Sequence, residues 1–230
     1  MKKIGFIGAY DKTDMLLNIA KILTVMKNRV LIIDSTINQK ARYVVPSINP
    51  TVSYITSFED IDVAIGFNSL EEIKQYDGIV GELPYDIVLI DCDTEERIEK
   101  LELSTSDKNY FVTSFDIFSL KKGIEILQNL KNKLNLTKIL FAKEMLKEED
   151  DYLNFLSLGC KITWDEERIY FPIENGDLSV ITENQRVQKI KFKRLSVQYK
   201  DNIGFIVQQI LNQRNDSDIR KAIKIIERGV

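Results

Sequence analysis

Short apolar runs alternate along the chain with stretches whose apolar residues recur every three or four positions, so strands alternating with amphipathic helices are predicted. The first strand is Lys3 to Ile7, and a helix from about Thr13 to Lys27 follows, with Leu16, Leu17, Ile19, Ala20, Leu23 and Met26 on its apolar face. A second strand covers Val30 to Asp34. After a long connection come strand-like segments at Val52 to Thr56 and Ile61 to Phe67, then a short helix opened by a capping box of Ser69 and Glu72. The run YDIVLID, Tyr85 to Asp91, is the clearest buried strand. Beyond it the pattern gives a strand NYFVT, a helix from Ile117 to Leu134, a strand KILFA and a helix near Tyr152 to Leu158. Strand-like pieces around Ile162 and Ile169 to Phe171 follow, and helices at about Asn202 to Gln213 and Asp216 to Glu227 close the chain. Repeated βαβ units of this kind predict a doubly wound α/β fold with a mostly parallel sheet flanked by helices. Four prolines and ten glycines are scattered rather than clustered, so residues 1–230 read as a single domain.

Composition narrows the chemistry. The chain has no histidine, which excludes Ser-His-Asp triads, His-containing zinc sites and histidine pH switches. Two cysteines, Cys92 and Cys160, are too few for a disulfide framework, and a reducing, cytoplasmic location fits them. The 32 Lys+Arg against 35 Asp+Glu leave a net charge of −3, so nucleic-acid or lipid binding would have to be local. The N-terminal MKKIGFIGAY reads as a strand rather than a signal peptide, and nothing approaches the roughly 18 consecutive apolar residues of a membrane span.

In doubly wound sheets ligands bind beyond the carboxyl ends of the strands, which directs attention to three places. After the first strand, GFIGAYDKTD puts Lys12 and Thr13 at a helix start, as in a phosphate-binding loop G-x-x-x-x-G-K-[ST]. Both glycines of that pattern are absent: Phe6 and Asp11 stand in their places, and Asp11 adds negative charge beside the position of a phosphate. The same residues equally describe an ordinary helix start capped by Thr13. The other two places are Asp34 and Asp91, which end hydrophobic strands and suit a water-placing carboxylate and a magnesium ligand, or a turn into a loop.

Taken in order, GFIGAYDKTDMLLNIAKIL, NRVLIIDST, YDIVLIDCD, NYFVTSFDIFSLKKGIEILQNL and IYFPIENGDLSVITENQRVQ resemble the ParA/MinD family of deviant Walker-motif P-loop ATPases over nearly the whole chain. The resemblance implies ATP and magnesium as cofactors. It implies Gly8, Asp11 and Lys12 in the phosphate loop, Lys12 as the phosphate-binding lysine, and Thr13 as the magnesium-binding hydroxyl. It further implies Asp34 as the catalytic residue that orients water, Asp91 as the Walker B magnesium ligand, and Pro172 beside the base. The departures are the missing glycines, the missing early signature lysine, and Lys143 after KILFA where the family often has an asparagine. Without an amide cradle and a charge clamp the resemblance implies a degenerate member, similar to the TadZ/CpaE type, that scaffolds pilus, secretion or partition machinery. The alternative is a working nucleotide switch that binds Mg-ATP, dimerises and contacts DNA or membrane. In the degenerate reading Asp11 and Lys12 compensate each other and leave the helix N-terminus electrostatically satisfied.

Protein partners, a homodimer among them, are expected. The stretch from Arg186 to Lys200, RVQKIKFKRLSVQYK, has no acidic residue and suits weak nonspecific DNA contact, though its alternation favours an edge strand guarded by lysines. The acidic run Lys147 to Asp151 reads as a solvated helix start. The basic amphipathic C-terminal helix offers peripheral membrane contact but lacks Trp and Phe, which favours docking on the protein's own core or a partner.

Overall fold

A computed structural model describes residues 1–47, 52–143, 147–212 and 216–229. The chain runs β1 (Lys2–Ile7), α1 (Thr13–Val25), β2 (Val30–Asp34), α2 (Ala41–Val44), β3 (Tyr54–Phe58), β4 (Ile61–Ile65), α3 (Leu70–Asp77), β5 (Ile87–Cys92), α4 (Glu95–Lys100) and a 3₁₀ turn at Leu103–Thr105. It continues through β6 (Lys108–Ser114), α5 (Ile117–Gln128), β7 (Leu134–Ala142), α6 (Lys147–Leu156), β8 (Ile162–Pro172), α7 (Asn175–Val187), α8 (Val197–Leu211) and α9 (Ser217–Arg228). The strands form one eight-stranded sheet in the order β3-β4-β2-β5-β1-β6-β7-β8. Among the described residues only β3 and β4 pair antiparallel. In β1, Ile4 and Phe6 face a core built with α1, α8 and α9, while Ile7 faces a second core built with α4, α5 and α6. Because both faces are covered, every residue of β5 is buried, and this is why its sequence is an unbroken apolar run up to Asp91.

Four local expectations change. The helix expected to reach Leu134 ends at Gln128, and Leu134 opens β7, where it pairs with Ile162. Leu127, Leu130 and Leu134 keep helical spacing although only the first lies in the helix; the other two are buried beyond it. The two strand pieces around Ile162 and Ile169 are one strand, interrupted where Leu136 faces Trp164 and Lys138 faces Arg168. The acidic residues 165–167 bulge out there at the sheet edge, and Asp165 takes hydrogen bonds from Lys108 Nζ and Thr137 Oγ1.

The basic stretch is not an edge strand; the edges are β3 and β8. Arg186 lies in the last turn of α7, residues 188–196 run irregularly, and Val197 opens α8. The alternation has another cause: Ile190, Phe192 and Leu195 plug into the core while Lys189, Lys191 and Lys193 stay exposed. The acidic run does begin α6, but Asp150 is buried rather than solvated, pairing with Lys138 at 2.7 Å and with Arg168. α9 buries Ile219, Ala222 and Ile226 in the same core as α1 and α8, so its apolar face is docked on the protein itself.

Candidate functional site

The site forms where β1, β2 and β5 end. Gly8 leaves β1 at φ +138°, and a Cβ there would meet the Val112 carbonyl oxygen at 2.1 Å, so the position requires glycine. Its N–H donates to the Cys92 carbonyl (3.1 Å), which ties the loop to the end of β5. Tyr10 then turns its ring onto Phe141, with centroids 4.6 Å apart, and Phe141 stacks on Phe171 at 4.8 Å. Burial, with Asp11 and Asp116 nearby, pushes the Tyr10 hydroxyl up to about 12.

Lys12 precedes α1 and is 2% exposed. Its ammonium folds back onto its own loop, donating to the Gly8 carbonyl at 2.5 Å and the Tyr10 carbonyl at 2.9 Å. It also lies 3.0 Å from Asp91 Oδ1, a charge contact in which Oδ1 receives no directed hydrogen bond. Burial raises the Asp91 carboxyl to about 7; Lys12 works against that shift and Asp34 adds to it.

Asp11 does not compensate Lys12, contrary to the sequence expectation. Its Oδ1 accepts from the N–H of Thr13 (3.1 Å), which is the first residue of α1 rather than its cap, and its Oδ2 pairs with Lys40 on the loop between β2 and α2. Lys40 also reaches Asp14 (3.5 Å), whose other partner is the Gln185 amide of α7 (2.7 Å). Burial opposes the charge on Lys40, but Asp11 and Asp14 outweigh it and hold the ammonium above its ordinary range. Asp34 uses both oxygens on its own loop: Oδ1 accepts from Thr36 N–H (3.1 Å) and Thr36 Oγ1 (2.6 Å), and Oδ2 from Ala41 N–H (3.0 Å). Asp93 braces the same loop by accepting from Ile37 N–H at 3.0 Å.

Two cavities adjoin here. A polar one, of about 260 Å³, is lined mainly by residues of polar type, Lys12, Thr13, Lys40 and Asp91 among them. An aromatic one of about 230 Å³ is lined by Phe141, Pro172 and Tyr199. Tyr10, Asp11 and Lys40 line both, so they form the partition. Of the residues singled out from sequence, Asp11, Lys12, Thr13 and Asp91 share the polar cavity, while Gly8 anchors its loop and Pro172 lies in the neighbouring cavity. Asp34 stands behind Thr13 and Asp91, in a small recess between them and Ala41. Lys143 is exposed at the end of β7. Lys40, Tyr10 and Gln185 were not singled out for a role; Lys40 lies in a connection with no periodicity to mark it.

The donor set suits a phosphate chain with magnesium in kind. Among the described residues the N–H groups of Ala9, Tyr10, Asp11 and Lys12 make no hydrogen bond within the protein, and neither does the Thr13 hydroxyl beside Asp91. Hard oxygen donors of this type suit magnesium. Against it stand the carboxylate of Asp11 on the loop and the three internal partners of Lys12.

The chain matches no protein-family model and no curated protein. Among solved structures it is similar to a plasmid partition protein from Borrelia burgdorferi bound to AMPPNP, with 15% identity, a TM-score of 0.58, and 92% of this chain and 98% of that chain covered. It is similar to a chain of the MinC:MinD cell division protein complex of Aquifex aeolicus at 13% identity and TM-score 0.55, covering 94% and 97%. A Cyanothece McdA variant in complex with ATP gives 11% identity and TM-score 0.57, covering 94% and 98%. With an eight-stranded, mostly parallel sheet flanked by helices and a loop-to-helix turn after its central strand, the chain has the ParA/MinD-like P-loop NTPase fold.

Proposed function

We propose that this protein is a ParA/MinD-like pseudo-ATPase of the TadZ/CpaE type, which binds a phosphate chain weakly, does not turn it over, and positions a larger assembly through protein contacts. The observation that carries this reading is the state of Lys12. An ammonium held by two carbonyls of its own loop and by Asp91 has its charge and hydrogen-bonding capacity already spent. Phosphoryl transfer depends almost wholly on positioning and on charge placed in advance around the transferring group. A loop with Phe6 and Asp11 in place of the pattern's glycines, and without the early signature lysine, supplies little of either. A bound nucleotide would be held by Lys12 at its phosphates and by Thr13 with Asp91 at its magnesium; the metal's contribution would be charge neutralisation. The test is ATP turnover by the purified chain beside a Lys12→Ala control: equal rates support the reading, and turnover clearly above the control overturns it.

The second reading, a nucleotide-switched dimer, draws on the uncommitted loop amides and the Thr13 hydroxyl. In either case the partners proposed are proteins, a second copy included. Weak DNA contact through Lys189, Lys191 and Lys193 is supported by their exposure on one irregular segment. Peripheral membrane contact through α9 has less support, since its apolar face is spent on the core. No helix among the described residues is long and apolar enough to cross a membrane. A cytoplasmic location belongs to this reading on the strength of two unpaired cysteines.

A further inference from the structure

We infer that Lys40 is a second phosphate-binding cation of this cavity, latched away from ligand by Asp11 and Asp14. The inference rests on the reading that the cavity retains weak affinity for a phosphate chain, and it names the side chain that limits that affinity. The observations concern position first. Lys40 comes from the loop between β2 and α2, yet it lines both the polar and the aromatic cavity, so a ligand extending from one to the other must pass its ammonium. Its loop is pinned from both sides: Asp34 accepts from the neighbouring Ala41 N–H, and Asp93 accepts from Ile37 N–H. The cation is therefore carried on a segment whose backbone is braced on both sides.

Its present partners are the second point. Asp11 Oδ2 and Asp14 Oδ2 both lie on the α1 side of the cavity, and together they bridge the phosphate loop to the β2–α2 loop across the boundary of the two cavities. Two carboxylates on one ammonium leave a net negative partition where a phosphate chain would have to pass. Lys12 cannot relieve this, because its own charge is matched by Asp91. Asp11 thus has two effects: it holds the Thr13 N–H at the start of α1, and it withholds Lys40. The two are separable, since an asparagine keeps the accepting oxygen and loses the charge.

The experiment is a double-mutant cycle read by calorimetry with Mg-ATP on the wild type, Asp11→Asn, Lys40→Ala and the double variant, with Asp11→Ser as a second charge-free acceptor. Folding of each form is checked by the fluorescence of Trp164, the single tryptophan. Asp11→Asn is expected to tighten Mg-ATP by about tenfold, the scale of one charge-assisted hydrogen bond. Lys40→Ala is then expected to cost about tenfold in the Asp11→Asn background and little in the wild type, because Lys40 contacts ligand only when unlatched. Equal losses in both backgrounds, or no tightening by either Asp11 variant, overturn the inference. If the wild type binds below the calorimetric range, comparison of Asp11→Asn with the double variant decides alone: a loss of about tenfold supports a direct contact, and unchanged affinity removes it. Turnover by the wild type above the Lys12→Ala control would overturn the pseudo-ATPase reading without altering the cycle, so the two failures are distinguishable.

Discussion

Lys12 and Asp91 face each other at 3.0 Å with side chains 2% and 4% exposed, the first at the start of α1 and the second near the end of β5. Removing two charges from water costs more than their attraction returns unless hydrogen bonds satisfy the remaining atoms. Lys12 has such bonds, to Gly8 and Tyr10, whereas Asp91 Oδ1 has no directed donor. Burial is the larger effect at Asp91: it raises the carboxyl, and Lys12 only partly offsets it.

A pH dependence follows. The folded Asp91 carboxyl is raised from 3.8 to about 7, so between these values the folded state binds more protons than the unfolded one and stability falls as pH rises. Below about pH 4 both states are protonated and the contribution is fully present. Asp91→Asn, which cannot ionise, is therefore expected to gain stability relative to the wild type as pH goes from 4 to 7, by at most about 1.4 kcal/mol per pH unit. Urea melts of both forms at pH 4, 5.5 and 7 check this; a stability difference independent of pH would show that burial does not raise the folded Asp91 carboxyl above its ordinary value.

The buried ion pair under α6 gives a different expectation. Lys138 is held by Asp150 at 2.7 Å and Asn154 at 2.5 Å, and its ammonium lies 5.0 Å from the centroid of Trp164. Asp150→Ala leaves this buried cation without a carboxylate and is expected to cost about 3 kcal/mol, while Asp150→Leu combined with Lys138→Met restores most of it. The melt is followed by the fluorescence of Trp164. A loss below about 1 kcal/mol for Asp150→Ala would mean that the pair is solvated.

Much of this fold is written in local pattern, and the limits have physical causes. β5 was legible because a strand covered on both faces carries an unbroken apolar run, and α1 because its buried face repeats at helical spacing. α7 was not: only Asp177 and Val180 are buried among its described side chains, so Asn175–Val187 has no apolar stripe to read. At the site the residue types Lys12, Thr13 and Asp91 were legible, but their partners were not. Which carboxylate answers Lys12 depends on the adjacency of β1 and β5, a parallel pairing that no local sequence spacing encodes. Lys40 was hidden for the same reason, since its partners Asp11 and Asp14 lie on another βα unit.

Gly8 carries an expectation about the loop itself. Gly8→Ala places a Cβ 2.1 Å from the Val112 carbonyl oxygen at a φ that side chains avoid, so β1 and β6 must move apart at their carboxyl ends. A destabilisation of about 2–4 kcal/mol is expected in denaturant melts, since strain and a displaced backbone add. A neutral outcome would mean that the loop relaxes freely and that Lys12 is not held as described.

The last expectation concerns the basic segment. Lys189, Lys191 and Lys193 are exposed, and no carboxylate pairs with them among the described residues, whereas Arg194 is taken by Glu183 and Lys200 by Glu227. Three free ammonium groups on one segment contact about three phosphates, and counterion release then gives a slope of log affinity against log salt near −2.7. Because the whole molecule carries −3, binding is expected to be weak and to vanish at physiological salt. Titration of duplex DNA at several salt concentrations, monitored by anisotropy, measures the slope. Replacing the three lysines by glutamate should abolish binding while leaving thermal stability within about 0.5 kcal/mol, as their side chains are not part of the core. Binding that survives this charge reversal, or a slope far steeper than three contacts allow, would place the DNA-binding surface elsewhere on the protein.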